Sequence, residues 1–190
     1  MRVGRVDRGG FHYLATRISE EMRVQEAPEP TEPEVNKLAA LPTLHLIDIE
    51  NLNGACPRTM DTHRAKDLLG SYDAVVPIAE CDHLIVGCNP RIGLEVGLAM
   101  DSGRLVVRHG SDGADQALID AIDLDHVARR YRRVILGSGD HIFVPMVLEL
   151  LARSVPVEVV ARPDGTSARL RLTGVPVHPF RYALPMPRIA

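Results

Sequence analysis

The chain has 190 residues, a net charge of −3 and 45% hydrophobic residues, which suits one globular domain plus an extension. The charge excludes a globally basic nucleic-acid-binding composition. Its three cysteines, at positions 56, 81 and 88, lack the two-residue gap of a zinc knuckle and argue against a disulfide framework. Aromatic content is 4% with no Trp, which argues against a surface that binds single strands by base stacking.

The same features bear on where the protein works. An odd, small number of cysteines is typical of a reducing compartment, so we expect a cytoplasmic protein. We find no signal-peptide pattern and no apolar run of membrane-spanning length, so we expect no membrane association.

The first 40 residues differ in composition from the rest. Residues 26–34 form a Pro/Glu run that can neither bury apolar surface nor hold a helix, whereas residues 11–22 have the spacing of a short amphipathic helix. We therefore predict a flexible or partly helical extension over 1–40, with a protein-binding segment as the alternative. The domain is predicted over 43–184 and a tail over 185–190.

From residue 44 onward, short apolar runs alternate with helical patterns. In chain order, the predicted strands cover 44–47, 83–87, 105–107, 134–136 and 155–161, with further extended stretches at 73–78 and 175–184, and the predicted helices cover 59–69, 91–100, 114–122, 143–152 and 166–172. Strands that alternate with helices favour right-handed crossovers and a mainly parallel sheet with helices on both faces. The predicted fold class is α/β.

Two of the predicted strands end directly in an aspartate-bearing turn. Asp48 follows the run 44–47, and Asp140 follows the run 134–136 through Gly137, Ser138 and Gly139. Open α/β sheets place their ligands outside the carboxyl ends of the strands, so these carboxylates can meet there. The usual reason to gather carboxylates is a divalent metal ion.

A third aspartate, Asp115, opens the helix that follows the third strand and would face the same edge. Helix capping or pairing with the helix dipole is the alternative reading for Asp115, and capping is also an alternative for Asp140. The three positions follow successive strands, which favours one acidic site.

Smaller polar groups accompany the aspartates. Asn51 can bind a phosphate or a metal-bound water, or can instead bond its own backbone in a turn. Ser138 and Gly139 can present a hydroxyl and backbone N–H groups to a phosphate, although a glycine here also serves to turn a strand into a helix.

Arginines are unevenly distributed. Arg129, Arg130, Arg132 and Arg133 cluster just before the strand at 134–136, and residues 151–190 hold six arginines against two carboxylates. The cluster is either a solvated helix end or a phosphate-contacting face beside the acidic site. We take Arg129, Arg130 and Arg133 as candidate substrate contacts.

Several motifs are absent from the sequence. It has no P-loop, no Gly-x-Gly-x-x-Gly after the first strand, no Gly-x-Ser-x-Gly and no His-Glu-x-x-His. These absences argue against P-loop nucleotide hydrolysis, dinucleotide binding, serine hydrolase chemistry and zinc protease chemistry.

Three segments together resemble the NYN domain, a family of PIN-like nucleases. They are Asp-Ile-Glu-Asn-Leu at 48–52, Gly-Ala-Asp-Gln-Ala-Leu at 113–118 and Gly-Ser-Gly-Asp-His-Ile-Phe at 137–143. The closing segment 157–170 is similar to the end of compact bacterial members. The resemblance covers about residues 43–184, and the order and spacing of the segments carry it.

The resemblance implies a Rossmann-like three-layer α/β/α sandwich that binds Mg²⁺ or Mn²⁺ and hydrolyses RNA phosphodiester bonds. By position, Asp48, Asp115 and Asp140 would be the metal ligands, and Asn51 would orient water or the scissile phosphate. RNA would then be the main partner, and both a monomer and a homo-oligomer fit the sequence.

The chain departs from the family pattern at one position. Many members carry a second aspartate two residues after the aspartate that corresponds to Asp140, and this chain has Ile142 at that position. An apolar side chain cannot ligate metal, so either fewer carboxylates suffice, or Glu50, Glu95 or Asp120 takes its place. The third alternative is an inactive NYN module that binds RNA or a partner protein without cutting.

Overall fold

The computed structural model describes residues 40–54 and 60–182. The predicted extension, apart from residue 40, and the predicted tail at 185–190 lie outside these residues. So does Cys56.

Within the described residues the chain alternates strands and helices, as its pattern predicts. The strands are β1 (Thr43–Asp48), β2 (His83–Cys88), β3 (Arg104–Val107), β4 (Arg133–Gly137), β5 (Val157–Ala161) and β6 (Val177–Pro179). The helices are α1 (Ile49–Asn53), α2 (Thr62–Val75), α3 (Gly93–Ala99), α4 (Gly113–Asp120), α5 (Leu124–Arg130), α6 (Val144–Ala152) and α7 (Ala168–Arg171). Short 3₁₀ turns precede α3 and α6, at Pro90–Ile92 and His141–Phe143.

All six strands form one parallel sheet in the order β3-β2-β1-β4-β5-β6. This confirms the predicted α/β class and the Rossmann-like three-layer arrangement. The central strand β1 pairs with β2 on one side and with β4 on the other. It is buried along its whole length, as central strands of parallel sheets are, and its polar residues Thr43, His45 and Asp48 are buried with the apolar ones.

The core consists of two layers, one on each face of the sheet. One layer packs Leu46 of β1 against Leu118 of α4 and Leu150 of α6. The other packs Ile47 of β1 against helices α1, α2 and α3, with Tyr72 as its largest side chain. Adjacent residues of β1 thus face opposite layers, because side chains alternate along a strand.

Two local predictions were wrong. The extended stretch predicted at 73–78 begins inside α2, which runs on to Val75 because Ala65, Leu68 and Tyr72 continue one buried stripe at helical spacing. Helix α5 was not predicted, since Val127 is its one buried residue and the amphipathic signal is weak. Asp123 caps α5 by accepting a hydrogen bond from the backbone N–H of His126.

Among the described residues, no helix combines the length and the apolar character that a membrane span requires.

Close packing of α4 on β2 predicts a strong response at Gly87. A Cβ atom there would lie 2.7 Å from Cγ of Leu118 and 2.9 Å from the carbonyl oxygen of Ala114. We expect Gly87→Ala to lower the free energy of unfolding by about 1–3 kcal/mol, as overpacking does, in urea denaturation.

Gly70 provides the matched control. It is exposed within α2, and a Cβ atom there meets nothing within 4 Å. Gly70→Ala should therefore stabilise the protein by about 0.5–1 kcal/mol. Equal unfolding midpoints for the Gly87 variant and the wild type would contradict the packing of α4 against β2.

Candidate active site

The crevice between the carboxyl ends of β1 and β4 is the point where the winding of the sheet reverses. From β1 the chain proceeds outward to β2 and β3, and it then crosses to β4 on the other side of β1. The register places Ile47 beside Gly137, so the loops that follow both strands start at the same level. Ligands of open α/β sheets bind at such a switch point.

Asp48 ends β1 and lies at the bottom of this crevice, 4% exposed. Its Oδ1 accepts the backbone N–H of Asn51 at 3.2 Å, which makes Asp48 the N-cap of α1. Its Oδ2 accepts the hydroxyl of Ser138 at 3.3 Å, from the loop after β4. The carboxyl group is therefore fixed by both neighbouring loops.

Asp115 reaches the same crevice from the first turn of α4 and is 8% exposed. Its carboxyl group lies within hydrogen-bonding reach of the carboxyl group of Asp48. Its Oδ1 is buried and has no hydrogen-bond partner among the described residues. A buried oxygen without a donor is costly, and a cation is one kind of partner that can offset this cost.

Burial dominates the electrostatics of this pair. Burial raises the pKa of Asp48 well above 3.8, and the adjacent Asp115 carboxyl raises it further. Burial also raises the pKa of Asp115, and the charge of Asp140 adds to that increase. Two carboxyl groups in such contact repel when both are ionised, unless a proton or a cation lies between them.

Asp140 lies near enough to act on the Asp115 charge, but it is also a helix cap. Its Oδ1 accepts the backbone N–H of Ile142 at 3.0 Å and lies 2.9 Å from Nδ1 of His141. The side chain is 36% exposed, so its second oxygen can face the crevice. Capping by Asp140 is therefore confirmed, and its membership of the acidic site stays a prediction.

The smaller polar residues take part in hydrogen bonds near Asp48. The N–H of Gly139 donates to Oδ1 of Asn51 at 2.9 Å, and the fully buried Ser138 hydroxyl contacts Asp48 and the backbone N–H of Asp140. In the structure Ser138 and Gly139 both bond within the protein, and their presentation to a phosphate stays a prediction. These bonds position the carboxyl of Asp48 and the amide of Asn51.

This hydrogen bond leaves the amide nitrogen of the Asn51 side chain as the group that can bind a ligand. Because its Oδ1 accepts from Gly139, its Nδ2 bears two N–H donors, which have no acceptor among the described residues. Asn51 is half-buried at the start of α1, next to the acidic pair. A phosphate oxygen is a suitable acceptor for these donors.

The arginine cluster lies at the other end of the strands from the acidic site, at the amino-terminal end of β4. Arg133 begins β4 and Gly137 ends it, which separates them by about 13 Å at strand rise. The Arg133 guanidinium pairs with Glu158 at 2.7 Å, and Arg129 and Arg130 end α5 just before β4. The expectation that Arg129, Arg130 and Arg133 lie beside the acidic site is wrong, since they precede the strand whose far end carries it.

Of the carboxylates considered as substitutes, two lie near the site and one does not. Glu50 accepts the backbone N–H of Asn89 at 3.0 Å, and burial raises its pKa. Burial and the charges of Glu50, Asp48 and Glu95 raise the pKa of the Cys88 thiol to about 12. Glu95 therefore lies near Cys88, as Glu50 and Asp48 do. Asp120 instead pairs with Arg108 at 2.7 Å.

The donors suit a hard divalent cation that retains several waters. In residues 40–54 and 60–182, no three His, Cys, Asp or Glu side chains are already grouped to hold a metal ion. The structure assembles a pair of carboxyl groups, with Asp140 nearby. Mg²⁺ commonly binds through one or two carboxylates and keeps water on its other positions, so the unpartnered Asp115 Oδ1 and its neighbours fit Mg²⁺ or Mn²⁺.

Two cavities lined by described residues lie beside the sheet, one at the amino-terminal ends of its strands and one at their carboxyl-terminal ends. A cavity of about 750 Å³ lies at the amino edge, lined in part by His83, Arg104 and Tyr131. A cavity of about 370 Å³ lies at the same edge as the acidic pair, beside Arg162 and Tyr182. The second cavity has no local signal in the sequence, because its residues come from two loops about twenty positions apart.

No protein-family model, no curated protein and no solved structure matches the chain.

The pKa shifts predict that the acidic pair reduces stability at neutral pH. A carboxyl whose folded pKa is raised stabilises the fold below its unfolded pKa and loses that contribution as pH rises through the folded value. Asp48→Asn keeps the N-cap and stays neutral. We expect it to raise the free energy of unfolding at pH 7 by about 1–3 kcal/mol in EDTA.

This gain should shrink as pH falls from 8 to 4, because the wild-type pair then becomes protonated. Asp101→Asn, at an exposed carboxylate, is the control and should change stability by less than about 0.5 kcal/mol. Urea denaturation across this pH range provides the measurement. An Asp48→Asn protein that is less stable than the wild type at pH 7 would contradict the assignment of a repulsive pair.

Proposed function

We propose that this protein is a metal-dependent nuclease of the NYN type that hydrolyses RNA phosphodiester bonds. The observation that carries the proposal is the buried Asp48–Asp115 pair at the switch point, with an unpartnered Asp115 oxygen. Burying two carboxyl groups against each other is unfavourable for folding alone, so a role as cation ligands explains their retention. The resemblance of residues 48–52, 113–118 and 137–143 to the NYN domain supports the same chemistry.

In this proposal Asp48 and Asp115 would hold the cation, and Asp140 would assist them from the loop after β4. A bound Mg²⁺ or Mn²⁺ would supply an activated water and neutralise charge on the phosphate. The protein fixes the carboxyl group of Asp48 through hydrogen bonds from the backbone N–H of Asn51 and the hydroxyl of Ser138. Such prior positioning lowers the reorganisation needed during reaction.

Asn51 orients the substrate. Its Oδ1 accepts the N–H of Gly139, which leaves the two N–H donors of Nδ2 for the substrate. A donor beside the cation can hold a non-bridging phosphate oxygen so that the leaving oxygen lies in line with the attacking water. Gly139 supports this role indirectly, by fixing the amide.

A second function is favoured by Ile142. Its backbone N–H caps onto Asp140, and its side chain packs against the core instead of offering a carboxylate. With no third carboxylate at this position, the same crevice could hold RNA or a protein without cutting. Cleavage assays separate the two functions.

The proposal predicts cleavage that depends on both metal and the acidic pair. Wild-type protein with 5 mM Mn²⁺ or Mg²⁺, about the usual assay excess over metal sites, should cleave mixed-sequence RNA. Asp115→Asn and the double variant Asp48→Asn/Asp140→Asn should lose at least about 100-fold in rate, since ligand loss removes the cation. Gel analysis of end-labelled single-stranded and duplex RNA provides the measurement.

Two further variants sharpen the test. Asn51→Ala should lower the rate about 10–100-fold while the protein still binds Mn²⁺, because the donor acts on the phosphate. Asp101→Asn removes an exposed carboxylate away from the crevice and should cleave at the wild-type rate. A folded wild type that binds RNA and Mn²⁺ but cleaves nothing would reject the nuclease and favour the binding module.

A further inference from the structure

The cavity of about 370 Å³ beside the acidic crevice, here named the β5–β6 pocket, combines cationic and aromatic side chains. It lies between the loops that follow β5 and β6, at the carboxyl edge of the sheet. Its lining residues are Arg162, Pro163, Asp164, Phe180, Arg181 and Tyr182. The volume is within the range of small-ligand sites.

The loop that follows β5 and lines the pocket packs against the loop that carries Asp140. The N–H of Ser167 donates to the carbonyl of Gly139 at 2.8 Å, and a Cβ atom on Gly139 would lie 2.3 Å from the carbonyl oxygen of Gly165. The turn at Arg162–Gly165 therefore packs directly on the loop that carries Asp140. Strands β4 and β6 are two spacings apart, about 10 Å.

Arg162 lies between the two sites. A Cβ atom on Gly54 would lie 2.6 Å from its Nη1, so the guanidinium crosses the end of α1, the helix that begins beside Asn51. Its Nη2 contacts Asp164 at 3.0 Å, while 27% of the side chain remains exposed. Two features favour a glycine at position 54: the close approach of the Arg162 guanidinium, and a φ of +78°, which other residues rarely adopt.

Further positive charge lies around the pocket. The Arg171 guanidinium donates to the carbonyl oxygen of Pro163 at 3.0 Å, and Arg181 is exposed in the lining. Arg162, Arg171 and Arg181 lie with Asp164 in this region, and Arg64, Asp61 and Asp67 are near enough to act on Tyr182, so arginines outnumber carboxylates by four to three. The excess charge favours an anionic ligand such as a phosphodiester.

The aromatic side of the pocket is formed by two stacked rings. Phe180 is buried, and the ring of Tyr182 lies nearly parallel to it, with 6.4 Å between centroids and 15° between planes. Tyr182 is half-buried and lines the pocket. An ordered ring beside arginines is the arrangement on which a nucleic-acid base stacks while its phosphate is bound.

We infer that the β5–β6 pocket is a nucleotide subsite for single-stranded RNA next to the cleavage site. Arg181 and Arg162 hold a phosphate of the flanking nucleotide, and Tyr182 stacks on its base. A base must leave a duplex to reach this ring, so the subsite selects single strands. The inference rests on the proposed nuclease function, because it assigns the pocket to the same substrate.

The test measures binding without cleavage. A fluorescein-labelled ten-nucleotide oligouridylate is titrated with protein in EDTA, and fluorescence anisotropy gives Kd. Tyr182→Leu and Arg181→Gln should each raise Kd about five-fold or more, and Arg181→Gln should reduce the salt slope by about one. A duplex of the same length should bind more weakly than the single strand.

Two matched controls keep the test specific. Tyr182→Phe keeps the ring and should bind within two-fold of wild type, taken as about the assay error at this affinity. Arg130→Gln removes an equally exposed arginine at the opposite edge and should also leave Kd unchanged. Thermal unfolding of each variant confirms that the fold is intact.

Three results would overturn the subsite. They are wild-type Kd values for both pocket variants, equal losses in Arg130→Gln and Arg181→Gln, and no oligouridylate binding by the wild type in EDTA. These results are distinct from failure of the proposed function, which is read from Mn²⁺-dependent cleavage. A protein that cleaves while its pocket variants bind normally keeps the nuclease and loses the subsite. A protein that binds through the pocket and never cleaves keeps the subsite and loses the nuclease.

Discussion

The contact between the carboxyl groups of Asp48 and Asp115 is the constraint on which this account depends. Both groups are buried at the carboxyl end of the central strand, and burial raises the pKa of each. The surrounding architecture maintains this unfavourable contact: β1 carries Asp48, close packing of α4 on Gly87 presents Asp115, and the loop after β4 supplies Ser138. Strain of this kind is common where function and stability conflict.

The architecture was predictable because its signals are local. Apolar runs such as 44–47 and 134–136 have the length and β-branching of buried parallel strands, and the sheet contains both as neighbours. Positions that follow strands meet at one edge in any parallel sheet, so the convergence of Asp48, Asp115 and Asp140 also followed from the sequence. Helix α5 was missed because one buried residue, Val127, gives little periodicity.

What could not be predicted depends on contacts across the chain. The hydrogen bond from the N–H of Gly139 to Asn51, 88 residues away, has no local signal in the sequence. The arginines at 129–133 are near Asp140 in sequence but are separated from it by the length of β4. Low aromatic content argued against base stacking, yet composition is an average, and the fold brings Phe180 and Tyr182 together beside Arg162.

Titration calorimetry with Mn²⁺ at pH 7, repeated in buffers of different ionisation enthalpy, tests the central claim most directly. A cation that binds between Asp48 and Asp115 takes the ionised carboxylates as ligands, and burial raises the pKa of both groups, so the account predicts binding in the wild type with release of the protons that the raised pKa values leave on the pair. Asp115→Asn should abolish the binding. Failure of the wild type to bind Mn²⁺ at millimolar concentration, or undiminished binding by Asp115→Asn, would contradict the account.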